Sequence, residues 1–302
     1  MPDFHSGKDL LKLCGSKNKK ISDIMREREI ENGAWTEKEI KRKMDKVLSI
    51  MKNAAKNPLL KPEKSISGLT GGEAKKIAEF GKTKESICDP FMNCVIAYSM
   101  AVPEVNASMG LIVAAPTAGS SGVIPGALLA LQEEKDLSDE EIENGLYCAS
   151  AVGYLLMRNA SVSGAEAGCQ AEIGSASAMA AAAVTEMMGG TPSACLNAAS
   201  MALANMLGLV CDPVAGLVEI PCQNRNALGA LNAVTCAQIA LSGVEFPIPF
   251  DEMAAAMYRV GKNMPVELKE TALGGCAGTP TGCSIGCSVC EQTGTEKNRS
   301  LK

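Results

Sequence analysis

A chain of 302 residues, nearly half of them hydrophobic, can bury a substantial core as one large domain or two closely packed ones. Its 29 basic and 34 acidic residues leave a net charge of −5, which argues against general nucleic-acid binding. Thirteen cysteines and no secretory leader read as reduced thiols in the cytoplasm, and the odd number argues against a complete disulfide framework.

In chain order, residues 1–64 form a charged N-terminal region that holds 16 of the 29 Lys and Arg, read as solvated helices packed on the body rather than as a basic docking face. Thr36 with Glu39 matches a capping box, and Ile40, Met44, Val47, Leu48 and Met51 then fall on one helical face. Residues 61–72, with Pro62 and three glycines, mark the boundary to an Ala/Gly-rich body at 65–273. Within it, a Gly/Ser turn leads into an apolar helix over 124–131, and Ser138 with Glu141 repeats the capping box. The longest apolar stretch, 173–184, is too short to span a membrane and is mostly Ala, Ser and Gly. Thr191 and Pro192 read as an N-cap and first helical position, with Gly208 as the stop. A further helix is expected over 226–241, ending near Gly243. Residues 274–302 read as an irregular Cys/Gly-rich tail. Alternating strand patterns are scarce, so the fold class expected is all-α, with small side chains letting helices pack closely.

Two sets of residues carry chemistry. Cys169, Cys211 and Cys222 each lie beside Gly or Pro, where a helical pattern breaks and a side chain can turn into a pocket. Three thiolates with no obvious fourth suit a four-iron cluster with one iron left open as a Lewis acid. The same residues also read as buried thiols acting as small hydrophobes, or less readily as a zinc site, which usually draws on closer cysteine pairs. The second set is APTAGSSGVIP at 115–125. Amides at a helix start, with the hydroxyls of Thr117, Ser120 and Ser121, form a cradle for a carboxylate or phosphate, or else a turn that only caps the helix. No Gly-Lys-Ser/Thr follows, so it is not a Walker loop. Glu166 and Glu172 flank Cys169 and either exchange protons, orient a neighbour, or serve as satisfied ion pairs. His5 is the sole histidine, so the folded body holds no Ser-His-Asp or Cys-His machinery.

Taken with KISDIM at 20–25, SGLTGG at 67–72, VNASMG at 105–110, the PTAGS turn, GAEAGCQAEIG at 164–174 and LVCDPVAGLVEIPCQNRNA at 209–227, the chain resembles the alpha subunit of the bacterial two-chain, iron–sulfur-dependent L-serine dehydratases (L-serine ammonia-lyases). The resemblance implies an all-helical catalytic domain in which Cys169, Cys211 and Cys222 hold a 4Fe-4S cluster, with no pyridoxal phosphate. It implies a beta subunit that supplies a regulatory domain and a His-containing loop. The substrate would be L-serine, whose hydroxyl is drawn off by the open iron while a base removes the Cα proton, giving an enamine that hydrolyses to pyruvate and ammonia.

Local chemistry then assigns the substrate carboxylate to Thr117, Ala118, Gly119, Ser120 and Ser121, with Thr117 and Ser120 also read as catalytic. Asn224 and Arg225, beside Cys222, would neutralise charge on cluster or substrate. The chain departs from the family pattern at its C-terminus, where CSIGCSVC at 283–290 offers Cys283, Cys287 or Cys290 as a displaceable fourth ligand, or a protective tail. A lyase acting on L-cysteine or L-threonine, and a non-enzymatic iron–sulfur redox sensor, are the alternatives. A sensor has no need of the anion cradle.

Overall fold

The computed structural model describes residues 3–292, with the side chains of 290–292 outside the description. It is built of thirteen α-helices among these residues: α1 (Gly7–Lys17), α2 (Ile21–Gly33), α3 (Glu37–Leu60), α4 (Glu73–Phe80), α5 (Pro90–Ala107), α6 (Val123–Lys135), α7 (Asp139–Asn159), the single turn α8 (Gly164–Ala167), α9 (Ser175–Met187), α10 (Pro192–Met206), α11 (Cys222–Leu241), α12 (Phe250–Asn263) and α13 (Pro280–Gln292). Among the described residues the only β pairing is an isolated parallel bridge between Cys211 and Lys269.

The centre of the molecule is α9. Twelve of its thirteen residues are buried, and α6, α7, α10 and α11 pack around it. A helix buried on every side needs small side chains if its neighbours are to approach, and six of its residues are alanine. The apolar stretch at 173–184 is therefore a core helix, and no helix among the described residues is long and apolar enough to cross a membrane. Ser177 fits the apolar setting by donating its hydroxyl to the Gly229 carbonyl of α11 (2.8 Å).

The helix signals in the sequence appear where they were read. Thr36 and Ser138 each accept from the amide three residues on, and Glu39 and Glu141 accept from the cap amides in return. Thr191 caps α10 ahead of Pro192, and Gly208 follows the helix at φ 85°. Helix α11 starts four residues before the expected Asn226, at Cys222.

Other helix starts draw their caps from distant carboxylates in the body. The cap position of α2 is Lys20, whose side chain offers no acceptor, and Glu186 of α9 accepts instead from the amides of Ile21 (2.8 Å) and Ser22 (3.3 Å). Glu104 of α5 does the same for α4, accepting from Ala74 N (2.8 Å) and Gly72 N (3.0 Å) and from the Gln223 side chain (2.9 Å). Asp251 accepts from Gly7 N (2.6 Å) and Lys8 N (3.1 Å) at the start of α1. The Glu186 and Asp251 bonds, with α2 against α7 and α3 against α5, fasten residues 3–64 to the rest of the chain.

The C-terminal segment departs from expectation. Residues 264–279 are irregular apart from a 3-10 turn at Val266–Leu268, but 280–292 form α13, which packs on the turn at 214–216 just after Cys211. Thr279 accepts from the Gly282 amide (3.0 Å) and so caps a segment whose glycine and cysteine content had disguised it.

Burial pushes the Glu186 carboxyl above its ordinary value of 4.5, against the pull of Ser22 and Ile21. A raised carboxyl favours the native state fully below that ordinary value, and the contribution is lost as pH rises through the raised one. In urea unfolding, the stability of Glu186→Gln relative to wild type should therefore improve as pH rises above about 4.5 and level off once the native carboxyl has ionised. A difference that does not change with pH would contradict this.

Candidate functional site

Three loops converge beside the N-terminal end of α9. The first carries Cys169. Gly168 takes φ 77°, a conformation open to glycine, and a π-helical turn over Gln170–Gly174 joins it to α9. The second carries Cys211, whose amide donates to Leu268 O (2.9 Å) and whose carbonyl accepts from Glu270 N (2.7 Å). The third, after a cis Ile220–Pro221 bond, carries Cys222 as the first residue of α11.

Buried carboxamides hold the loops together. Gln170 is fully buried. It donates to Ala167 O and Met257 O (both 2.9 Å) and accepts from Gly208 N (2.9 Å), while its own amide donates to Leu209 O (2.8 Å). It thereby clamps the Cys169 loop to the Cys211 loop. Asn226, equally buried, donates to Gly119 O and Cys222 O and accepts from Gly122 N, all at 2.8 Å. It ties the Thr117–Ser121 turn to the Cys222 loop.

The thiols of Cys169, Cys211 and Cys222 are all buried. Cys211 is pushed far upward in pKa, first by a hydrogen bond with Cys169 and then by burial. Burial, with Cys169 and Glu172 nearby, pushes Cys222 up to about 12. Such crowding disfavours free thiolates and would be relieved by a soft, cationic centre. Three sulfur donors converging from three loops fit the donor set of an iron–sulfur cluster. Arg225 lies beside them, one-sixth exposed at most. It donates to Val210 O (2.8 Å) and Asp212 Oδ1 (2.6 Å), and its charge is supported against burial by Cys169 and Asp212. Asp212 Oδ2 in turn accepts from Cys276 N (2.7 Å), fastening the C-terminal segment to the Cys211 loop.

The expected cradle is a short 3-10 turn, Ala118–Ser120, entered through a cis Ala115–Pro116 bond and leading into α6. Thr117, Ala118 and Gly119 are part-exposed, and Ser120 and Ser121 are buried. Thr117 Oγ1 lies 3.2 Å from Ser120 Oγ and donates to Glu172 Oε1 (2.6 Å). The Ser121 hydroxyl is spent on Ala118 O (2.7 Å).

Glu172 sits between cradle and thiols. Its Oε2 accepts from Cys211 Sγ at 3.7 Å, and burial pushes its carboxyl upward, against the hydroxyl of Thr117. A cation placed beside it would reverse that shift. Glu166, by contrast, is exposed and already engaged by Ser161 (2.7 Å) and Lys262 (2.6 Å), a satisfied ion pair. Asn224 stands exposed on α11, and the asparagine that joins the site is Asn226, which the sequence reading passed over. Its fourfold spacing from Cys222 put it on the same helical face, a signal that was available. Cys283 and Cys287 are exposed on α13, with Cys283 Sγ 3.5 Å from Ala277 O, and the side chain of Cys290 lies outside the described residues. His5 is exposed near the N-terminus.

Among the described residues, the three metal-ligating side chains whose ligand atoms lie within 4.8 Å of one another are not the site thiols but Cys148, Glu186 and Cys195. The Glu186 carboxylate is the cap of α2, so the two thiols complete the surroundings of a structural glutamate.

The all-helical fold, with three buried thiols beside a Gly/Ser turn, agrees with a lyase chain of the serine dehydratase type. The profile of the serine dehydratase alpha chain family matches residues 16–277. The chain is 47% identical to the probable L-serine dehydratase, alpha chain, of Bacillus subtilis (strain 168), over 92% of this chain and 93% of that one. It is 45% identical to the L-serine dehydratase, alpha chain, of Peptoniphilus asaccharolyticus, over 93% and 97%. It is 39% identical to the L-serine dehydratase of Helicobacter pylori (strain ATCC 700392 / 26695), covering 92% of this chain but 62% of that longer one. The chain belongs to the serine dehydratase alpha chain family. The matched region stops at Ala277, short of α13.

Replacing Asp212 by Ala should leave Arg225 buried without its carboxylate and release the Cys276 amide. A loss of about 3–5 kcal/mol in urea unfolding is expected, with new protease cleavage within 274–280. Unchanged stability and an intact C-terminal segment would contradict the clamp.

Proposed function

We propose that the chain is the catalytic alpha chain of an L-serine dehydratase, converting L-serine to pyruvate and ammonia. The observation that carries this reading is the physical union of the two chemical segments. Asn226 bonds to both Gly119 and Cys222, so a ligand held at the cradle lies beside the thiols.

In this reading the turn Thr117, Ala118, Gly119, Ser120 and Ser121 receives the substrate carboxylate through amides and hydroxyls. Cys169, Cys211 and Cys222 hold a 4Fe-4S cluster, and Arg225 offsets the negative charge of their thiolates. When bound, the cluster would supply a Lewis-acid iron that stabilises the departing hydroxide, which removes any need for pyridoxal phosphate. The chain's own residues orient the amino acid and keep the thiols from bulk water. The Cα proton requires a base; the lone His5 is exposed, so a histidine base would come from another chain, such as a His-containing loop of a beta subunit. The "alpha chain" in the relatives' names supports a second chain. Cys283, Cys287 and Cys290 of α13 stay as sources of a displaceable fourth ligand, while Asn224 stands exposed two residues from Cys222.

Replacing Cys211 by Ala should abolish both iron retention and pyruvate formation after anaerobic reconstitution. A cluster-loaded, fully active variant would remove Cys211 from the ligand set. Ser120→Ala should leave iron content intact and raise the apparent KM for serine roughly 5- to 10-fold, the weight of about one hydrogen bond. An unchanged KM would remove Ser120 from the cradle.

A further inference from the structure

Resting on the dehydratase reading, the assignments above account for two of the three polar groups of serine, its carboxylate and its hydroxyl. The α-ammonium group also has to leave water, and it requires an acceptor between the cradle and the thiols. We propose that Glu172 receives the substrate's ammonium group and thereby selects amino acids over hydroxy acids of the same shape.

Four observations carry the assignment. Glu172 bridges the two halves of the site: Oε1 accepts from Thr117 in the cradle (2.6 Å), and Oε2 faces Cys211 Sγ (3.7 Å). Space is kept for its carboxylate by glycines. A methyl on Gly119 would stand 3.1 Å from Oε1, and one on Gly164 would meet Oε2 at 2.5 Å. The π-helical turn Gln170–Gly174 offsets it from the regular α9 register, a local distortion that costs hydrogen-bond geometry and recurs at functional sites.

The fourth is how few donors this carboxylate has. Glu104 and Glu186 each accept from two backbone amides, and Asp212 from an arginine and an amide. Glu172 has one hydroxyl and one long thiol contact, yet it is part-exposed beside a part-exposed cradle. A carboxylate with spare lone pairs at the mouth of an anion cradle suits a cation carried by the same ligand as the anion. The other acid nearby, Glu270, is exposed, and water screens it.

The test compares L-alanine with L-lactate, which share a carboxylate and a methyl and differ in the ammonium group. Binding of each to the iron-loaded complex with the beta chain is measured by calorimetry, without turnover. Wild type should bind alanine more tightly than lactate. Glu172→Gln should weaken alanine roughly 10- to 100-fold and lactate less than twofold, at unchanged iron content. Glu172→Asp, which keeps the charge, should recover part of the loss, and Glu270→Gln should leave the alanine-to-lactate ratio unchanged. Equal losses for both ligands would reduce Glu172 to a prop for Thr117 and overturn the proposal. So would unchanged alanine binding in Glu172→Gln, no measurable alanine binding in wild type, or a selective alanine loss in Glu270→Gln. Pyruvate release from serine is scored separately in wild type: its absence would sink the dehydratase reading, while the alanine-to-lactate ratio still decides Glu172.

Discussion

Two buried side-chain amides hold this site together. Gln170 and Asn226 each make both donor and acceptor bonds to backbone atoms of loops far apart in the chain, and each is fully buried. Inside a low-dielectric core such bonds are strong when made and costly when lost. They set the register of the three cysteine loops and bring the Gly/Ser turn against them. Without Gln170 the Cys169 and Cys211 loops would lose a side-chain tie, and without Asn226 the Gly/Ser turn would lose its tie to the start of α11. The Asp212–Arg225 pair adds a third tie, to the C-terminal segment.

The scaffold under these loops follows from small side chains and buried carboxylates. Alanine along α9 lets four helices close around it. Glutamates and an aspartate projecting from the body then cap α1, α2 and α4, whose starts lie outside that core. Each such carboxylate gives up hydration and is repaid by amides at a helix start, where the backbone dipole favours negative charge. Glu172 is also set into the body, part-exposed, but has no helix start to serve. This difference separates a site residue from a structural one more clearly than burial alone.

Much of this was legible in the sequence, for local reasons. Capping boxes at Thr36 and Ser138, the Thr191–Pro192 start and the Gly208 stop depend on neighbours within a few residues, and each appears in the fold. The cysteine and Gly/Ser segments were visible as breaks in helical pattern. What escaped depends on contacts across long stretches of chain. Nothing near Lys20 announces that Glu186 will cap α2, and nothing beside Gln170 shows its bond to Met257. Asn224 drew attention by adjacency to Cys222, whereas helical geometry turns Asn226 inward and Asn224 out. In α13, glycine and cysteine obscured a helix whose support comes from packing on residues 214–216.

The central claim is that three converging thiols hold an iron–sulfur cluster beside a serine cradle. The most direct measurement is anaerobic reconstitution of the chain with the proposed beta subunit, recording iron per chain, the cluster spectrum during L-serine titration, and pyruvate. The account predicts about four irons per chain, a spectrum perturbed by serine, and pyruvate formation. A chain that takes up no iron after complete reconstitution, or a cluster whose spectrum ignores serine, would contradict it.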